Sequence, residues 1–116
     1  MRLHLEQHVA APPEALWPHV TEPARMNRWS LAAISAGEPG DGGGLDGIGA
    51  QREVRLRTPL GPVRLREVIW DAAPPARLVY RVVPEPPLRR HRGELRLEPE
   101  GGGTRLTWDV EAELLV

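Results

Sequence analysis

The sequence predicts an α+β domain: a curved antiparallel sheet of about seven strands, with two short helices inserted after the first strand. Three observations predict it. Most of the chain alternates apolar and polar residues at period two, the signature of half-buried strands. Clusters of proline and glycine separate these segments. One proline-opened stretch near the N-terminus has helical spacing instead.

Residues 2–9 place Leu3, Leu5 and Val9 on one side and His4, Glu6 and His8 on the other, as a strand does. Ala-Ala-Pro-Pro-Glu (10–14) then opens a helix, because proline fits the first turn, where its missing N–H is not needed. Glu14 sits near the positive end of the helix dipole. Leu16, Trp17 and Val20 give this helix an apolar face, and Pro18 falls early enough to be tolerated. Thr21-Glu22-Pro23 ends it and starts a second helix from Pro23 to Asn27, followed by Trp29. A strand is expected from Leu31 to Ala36. The glycine-rich stretch Gly37–Gly47 reads as a mobile connection: it lacks the lysine of a phosphate loop, and no helix follows it.

Five further strands are expected over 48–58, 62–71, 77–83, 89–98 and 104–115. Thr58-Pro-Leu-Gly-Pro62, Asp71-Ala-Ala-Pro-Pro75, Pro84-Glu-Pro-Pro87 and Pro99-Glu-Gly-Gly-Gly103 are the turns between them. Folding the chain at these turns puts Val54 opposite Glu67, Leu56 opposite Leu65, Ile69 opposite Tyr80, Val82 opposite His91 and Leu95 opposite Trp108. Apolar faces meet apolar faces throughout, giving one dry side and one side of cross-strand arginine–carboxylate pairs. Val68 and Trp70 are apolar residues on the wet side, where they suit a homodimer contact.

At 116 residues the chain holds one domain, 1–116. Apolar residues are 41% and charged residues 27%, which excludes a disordered chain. A net charge of -1 leaves no electrostatic footprint for nucleic acid. Cysteine is absent, so disulfides, thiolate chemistry and cysteine zinc sites are excluded. No run is long enough to span a membrane and the N-terminus is not a signal peptide, so the expected location is cytoplasmic. All basic residues are arginine, a bias that fits a GC-rich bacterial genome. The four histidines offer no metal site, because His4 and His8 share a strand face without a third ligand. No cofactor motif is present.

Four residues stand out of place on the dry face: Arg52, Glu67, Tyr80 and His91. Arg52 and Glu67 are expected as diagonal neighbours, either a structural ion pair or a polar anchor inside a ligand pocket. His91 reads as a satisfied structural histidine. If the pocket is catalytic, His91, Tyr80 or Glu67 would move protons. The remaining candidate lining is Trp29, Val54, Leu56, Leu65, Ile69, Val82, Leu95 and Trp108.

The order of these motifs resembles a known family. A strand, Ala-Pro-Pro-Glu-Ala-Leu-Trp (11–17), two short helices, Trp29, Gly47-Ile-Gly49, Arg52, the segment Glu67 to Tyr80 and Gly103-Thr-Arg-Leu-Thr-Trp108 are similar to the START-like superfamily. The resemblance is to its polyketide cyclase/dehydrase and lipid transport group, also called SRPBCC. It implies a helix-grip fold, in which a seven-stranded antiparallel sheet curls around a long C-terminal helix. It also implies binding, and possible transport, of a small hydrophobic molecule such as a lipid or polyketide. Some members are cyclases or aromatases using the same cavity, and others are protein-interaction modules. This chain ends at Val116 without the family's long helix. A truncated chain, a partner subunit that supplies the cover, and a shortened variant with an open groove all remain consistent with that.

Overall fold

A computed structural model describes residues 1–30, 32–59, 61–83 and 88–114. The elements run β1 (Arg2–Val9), α1 (Pro13–Thr21), α2 (Pro23–Met26), β2 (Ala33–Ala36), a short 3-10 turn (Asp41–Gly43), β3 (Gln51–Thr58), β4 (Gly61–Ala73), β5 (Arg77–Val82), β6 (Leu88–Glu100) and β7 (Gly103–Leu114). The strands form one antiparallel sheet in the order β1-β7-β6-β5-β4-β3-β2. Consecutive strands from β2 to β7 are neighbours, as a meander requires, and β1 closes onto β7.

Local chemistry sets the helices. Pro13 takes the first helical position of α1, and the carbonyl of Pro12 accepts from the N–H of both Ala15 and Leu16. Pro23 forces the residue before it out of helical geometry, so Glu22 sits at φ -84°, ψ 122° and separates the two helices. The helices pack on β6, β7 and β2. Leu16, Trp17 and Val20 join Ile69, Leu78, Tyr80, Leu95, Leu97 and Leu106 in the main core. A second cluster gathers Met26, Ile34 and Val54, with Leu56 and Leu65 packed against it.

The strand faces follow the expected alternation, with informative departures. Ile69 pairs with Tyr80 and Leu95 with Trp108 as expected. The β3–β4 hairpin is tighter than expected. Thr58 pairs with Gly61, so Val54 meets Leu65, Leu56 meets Val63 and Arg52 meets Glu67 directly. The correction is a slip of two residues, which leaves every side chain on its own face. A bulge after Ile69 leaves Trp70 unpaired and exposed on the convex side, where the Arg81 guanidinium lies 4.5 Å from its ring. The β5–β6 ladder ends at Tyr80–Gly93, short of the expected Val82–His91 pair. Leu31, Leu60, the turn 84–87 and residue 115 lie outside the described residues.

Two further expectations are corrected. The convex side is not uniformly wet: Val79 and Glu94 are buried there. Arg77, Arg92 and Arg96 all reach the Glu94 carboxylate, roofing this patch with their stems. Burial alone would raise the pKa of Glu94, but the hydrogen bonds from Arg92 and Arg96 hold it below the usual carboxyl value. The glycine-rich connection is not a loose tether. Gly37 N–H donates to Gln51 O, Gln51 N–H to Glu38 O and Asp41 N–H to Ile48 O, folding the segment on itself. Asp46 then pins it to α1 by accepting from Trp17 Nε1 at 2.8 Å.

Candidate functional site

The concave side divides into a buried polar row and an apolar groove, with Trp108 as the wall between them. The row starts on β3. Arg52 is 2% exposed, and its guanidinium donates to Glu67 Oε1 (3.2 Å), Thr21 O (3.4 Å) and Met26 Sδ (3.3 Å). Its Nε has no hydrogen-bond partner among the described residues. Glu67 faces it from β4 at the directly paired position. Burial raises the Glu67 carboxyl above its usual range, and the Arg52 charge reverses only part of that rise.

Tyr80 continues the row on β5. The Arg52 guanidinium lies 5.4 Å from its ring centre, and its hydroxyl accepts from Trp108 Nε1 at 2.8 Å. Burial, followed by the Glu67 charge, pushes the Tyr80 phenol up, so it stays protonated. His91 on β6 sits 5.6 Å from the Tyr80 ring, centre to centre. It is not the satisfied histidine that the sequence suggested: its Nδ1 is buried with no partner among the described residues. Burial lowers its pKa, so the imidazole is neutral at pH 7.

Gly93 makes this row possible. A Cβ there would lie 2.1 Å from the Tyr80 ring carbon Cζ, so the ring occupies the space a side chain at 93 would need. The period-two alternation of strand 89–98 puts Gly93 on the dry face with Leu95 but gives no sign of this role.

On the other side of Trp108 lies a groove of about 300 Å³ between β1, β7 and the helices, lined mainly by Leu5, Val9, Leu16, Val20, Trp29 and Trp108. Trp29 is half exposed, fixed by its Nε1 donating to His19 O at 2.7 Å. Its ring meets Trp108 edge-on, 5.9 Å between centres at 77°. Trp108 in turn meets Tyr80 edge-on at 6.5 Å. The three aromatic rings thus connect the open groove to the buried polar row.

The candidate lining therefore separates into four groups. Trp29 and Trp108 line the groove, while Arg52, Glu67, Tyr80 and His91 form the row. Val54, Leu56 and Leu65 pack in the second cluster. Ile69 and Leu95 are in the main core, and Val82 is buried. The groove residues Leu5, Val9, Leu16 and Val20 were legible only as apolar faces of β1 and α1. Nothing in the sequence indicated that those two faces meet.

The chain matches the family described as polyketide cyclase/dehydrase and lipid transport over residues 1–115. No curated protein matches it. Among solved structures it is similar to CalU16 of Micromonospora echinospora, with 25% identity and a TM-score of 0.69. That match covers 94% of this chain and 59% of CalU16, so the chain spans less than two thirds of that relative. A Rhodobacter sphaeroides protein is 28% identical at a TM-score of 0.71, covering 97% of this chain and 72% of its own. A START superfamily protein of Mycobacterium smegmatis shares the fold at a TM-score of 0.82 and 13% identity, over 99% of this chain and 78% of that one. Sheet order, paired helices and a match along nearly its whole length lead to one conclusion: the chain belongs to the polyketide cyclase/dehydrase and lipid transport family.

Proposed function

We propose that this protein binds, and carries, a small hydrophobic molecule of the lipid or polyketide class on the concave side of its sheet. The observation that carries the reading is the apolar groove walled by Trp29 and Trp108, with a half-exposed indole at its mouth. Its volume lies near the lower end of ligand sites, which run from about 300 to 1,000 Å³. Apolar area removed from water there contributes roughly 25 cal/mol per Å² before the costs of association. The Arg52–Glu67 pair and the Tyr80 hydroxyl stand behind Trp108 as the polar end of the same side.

Calorimetric titration with palmitate and with a polycyclic aromatic ketone tests this. Saturable binding is expected, with Trp29→Ala weakening it about tenfold, or ~1.4 kcal/mol. Trp70→Ala on the convex side leaves it unchanged. Equal losses in the two variants, or no saturable binding of either probe, would contradict the reading.

A second reading, a cyclase or aromatase, is favoured by one observation: the neutral Nδ1 of His91, which lies beside Tyr80 and has no partner among the described residues. A neutral imidazole accepts a proton and a protonated phenol donates one, the two capacities such chemistry needs. In that case His91→Ala and Glu67→Gln abolish conversion of a polyketide chain while binding persists. A carrier shows no conversion in the unaltered protein.

A further inference from the structure

We propose that β1 is a self-association edge, which takes the β1 of a second copy of this chain, antiparallel, about a twofold axis through Leu5. This goes beyond the ligand-binding reading and does not rest on it. The sheet is open, with β1 and β2 at its two edges. The β2 edge is four residues long, a common way of blunting an edge. The β1 edge has eight residues and pairs with β7 from Arg2 to Val9 without a register shift. It carries no proline, no bulge and no charged residue on its concave side, so apart from the charges of Arg2 and Glu6 on its convex side the usual protections are missing.

The hydrogen-bond phase of this edge is fixed. Met1 and Ala112 exchange both backbone bonds, at 2.8 and 2.9 Å. Antiparallel pairs alternate, so Leu3, Leu5, Gln7 and Val9 also bond to β7. Arg2, His4, Glu6 and His8 therefore turn their N–H and C=O groups outward, and among the described residues nothing pairs with them there. The concave side of the same strand exposes apolar surface, with Leu3 60% and Leu5 46% exposed.

Only registers that keep concave face with concave face make a continuous sheet. Among these, the axis at Leu5 is the one that gives every outward residue a partner. Arg2 then faces His8 and His4 faces Glu6, each pair exchanging backbone bonds. Leu5 meets Leu5 of the second copy on the concave side, and Leu3 meets Gln7. An axis at His4 sets Arg2 against Glu6 but leaves His8 unpaired and opposes two His4 rings, and one at Glu6 sets two Glu6 carboxylates against each other. The backbone phase admits each of these registers, and completeness of pairing selects the axis at Leu5, which also sets His4 against Glu6; a second copy is the occupant whose outward groups match this edge one for one.

The absence of cysteine makes the test direct. In the proposed pair, Leu5 is a non-hydrogen-bonded position with Cα atoms about 4.5 Å apart, within the range of roughly 4.4–6.8 Å that a disulfide spans. Under mild oxidation, Leu5→Cys is expected to give a covalent dimer rapidly and nearly completely, while Trp70→Cys does not. The second variant is His4→Pro. Its missing N–H points outward, so no backbone bond to β7 is lost, though the exposed side-chain bond from His4 to Asp109 goes. By sedimentation equilibrium it should weaken self-association about tenfold or more, with an unchanged circular dichroism spectrum. A monomeric unaltered protein at the highest soluble concentration would overturn the proposal. So would a folded His4→Pro variant that dimerises normally, or Leu5→Cys crosslinking no faster than Trp70→Cys.

Discussion

Gly93 shows how much one absent side chain can decide. Its missing Cβ lets the Tyr80 ring lie flat across β6 and puts the phenol within reach of Trp108 Nε1. Gly93→Ala places a methyl where the ring stands, and overpacking of this kind costs about 1–3 kcal/mol. The expected result is a lower urea midpoint with an unchanged m-value, and loss of the near-UV signal of Tyr80 and Trp108. Glu67 makes a second residue-level prediction. Burial raises its folded-state pKa above the usual 4.5, so the folded protein binds this proton more readily than the unfolded chain. Stability therefore falls as pH rises from 4.5 through the folded value, and the dependence vanishes below 4.5. Denaturation midpoints of Glu67→Gln, measured across that window, should show a shallower fall than those of the unaltered protein. An equal or steeper fall in the variant would place the titrating group elsewhere.

Among the elements, the connection from β2 to β3 carries more structure than its composition suggests. Asp46 is the anchor, because its carboxylate accepts the only donor of the Trp17 indole. Asp46→Ala leaves that N–H without a protein acceptor and unfastens the connection from α1. A stability loss of about 1–2 kcal/mol is expected, with faster amide exchange at Gly37 and Asp41 and unchanged exchange in β6 and β7. The strands were legible in the sequence because period-two alternation directly records which face each residue takes, and a slip of two residues, as in the β3–β4 hairpin, leaves that record intact. The Asp46 anchor was not legible, since a single aspartate among glycines has no periodicity to betray it. The Trp70 bulge was equally hidden: the sequence marked the residue as out of place, but only the ladder shows that the strand steps past it.

Taken as a whole molecule, the sheet has one side built to be complete and one left partly open. Arginines and carboxylates neutralise each other across the convex side, and Glu94 alone takes three guanidinium partners. The concave side keeps exposed Leu3, Leu5 and Trp29 around its groove. The polar row Arg52–Glu67–Tyr80 was legible as charge on a dry face. The groove was not, because it depends on where α1 crosses β7, a tertiary fact that no local pattern encodes. A molecule that occupies the groove binds the folded state alone, so palmitate at a hundred times its dissociation constant should add about 2.7 kcal/mol of stability. At the same palmitate concentration Trp29→Ala, with binding about tenfold weaker, should gain only about 1.4 kcal/mol, so its rise in thermal midpoint should be about half as large.

The two indoles at the mouth also give the protein an optical property. Held 5.9 Å apart and nearly perpendicular, Trp29 and Trp108 act as coupled oscillators. Their circular dichroism should carry a signed couplet whose amplitude follows the angle between the rings. A guest that tilts either ring alters that couplet and leaves the amide bands untouched, so entry can be timed in a stopped-flow cell without any label.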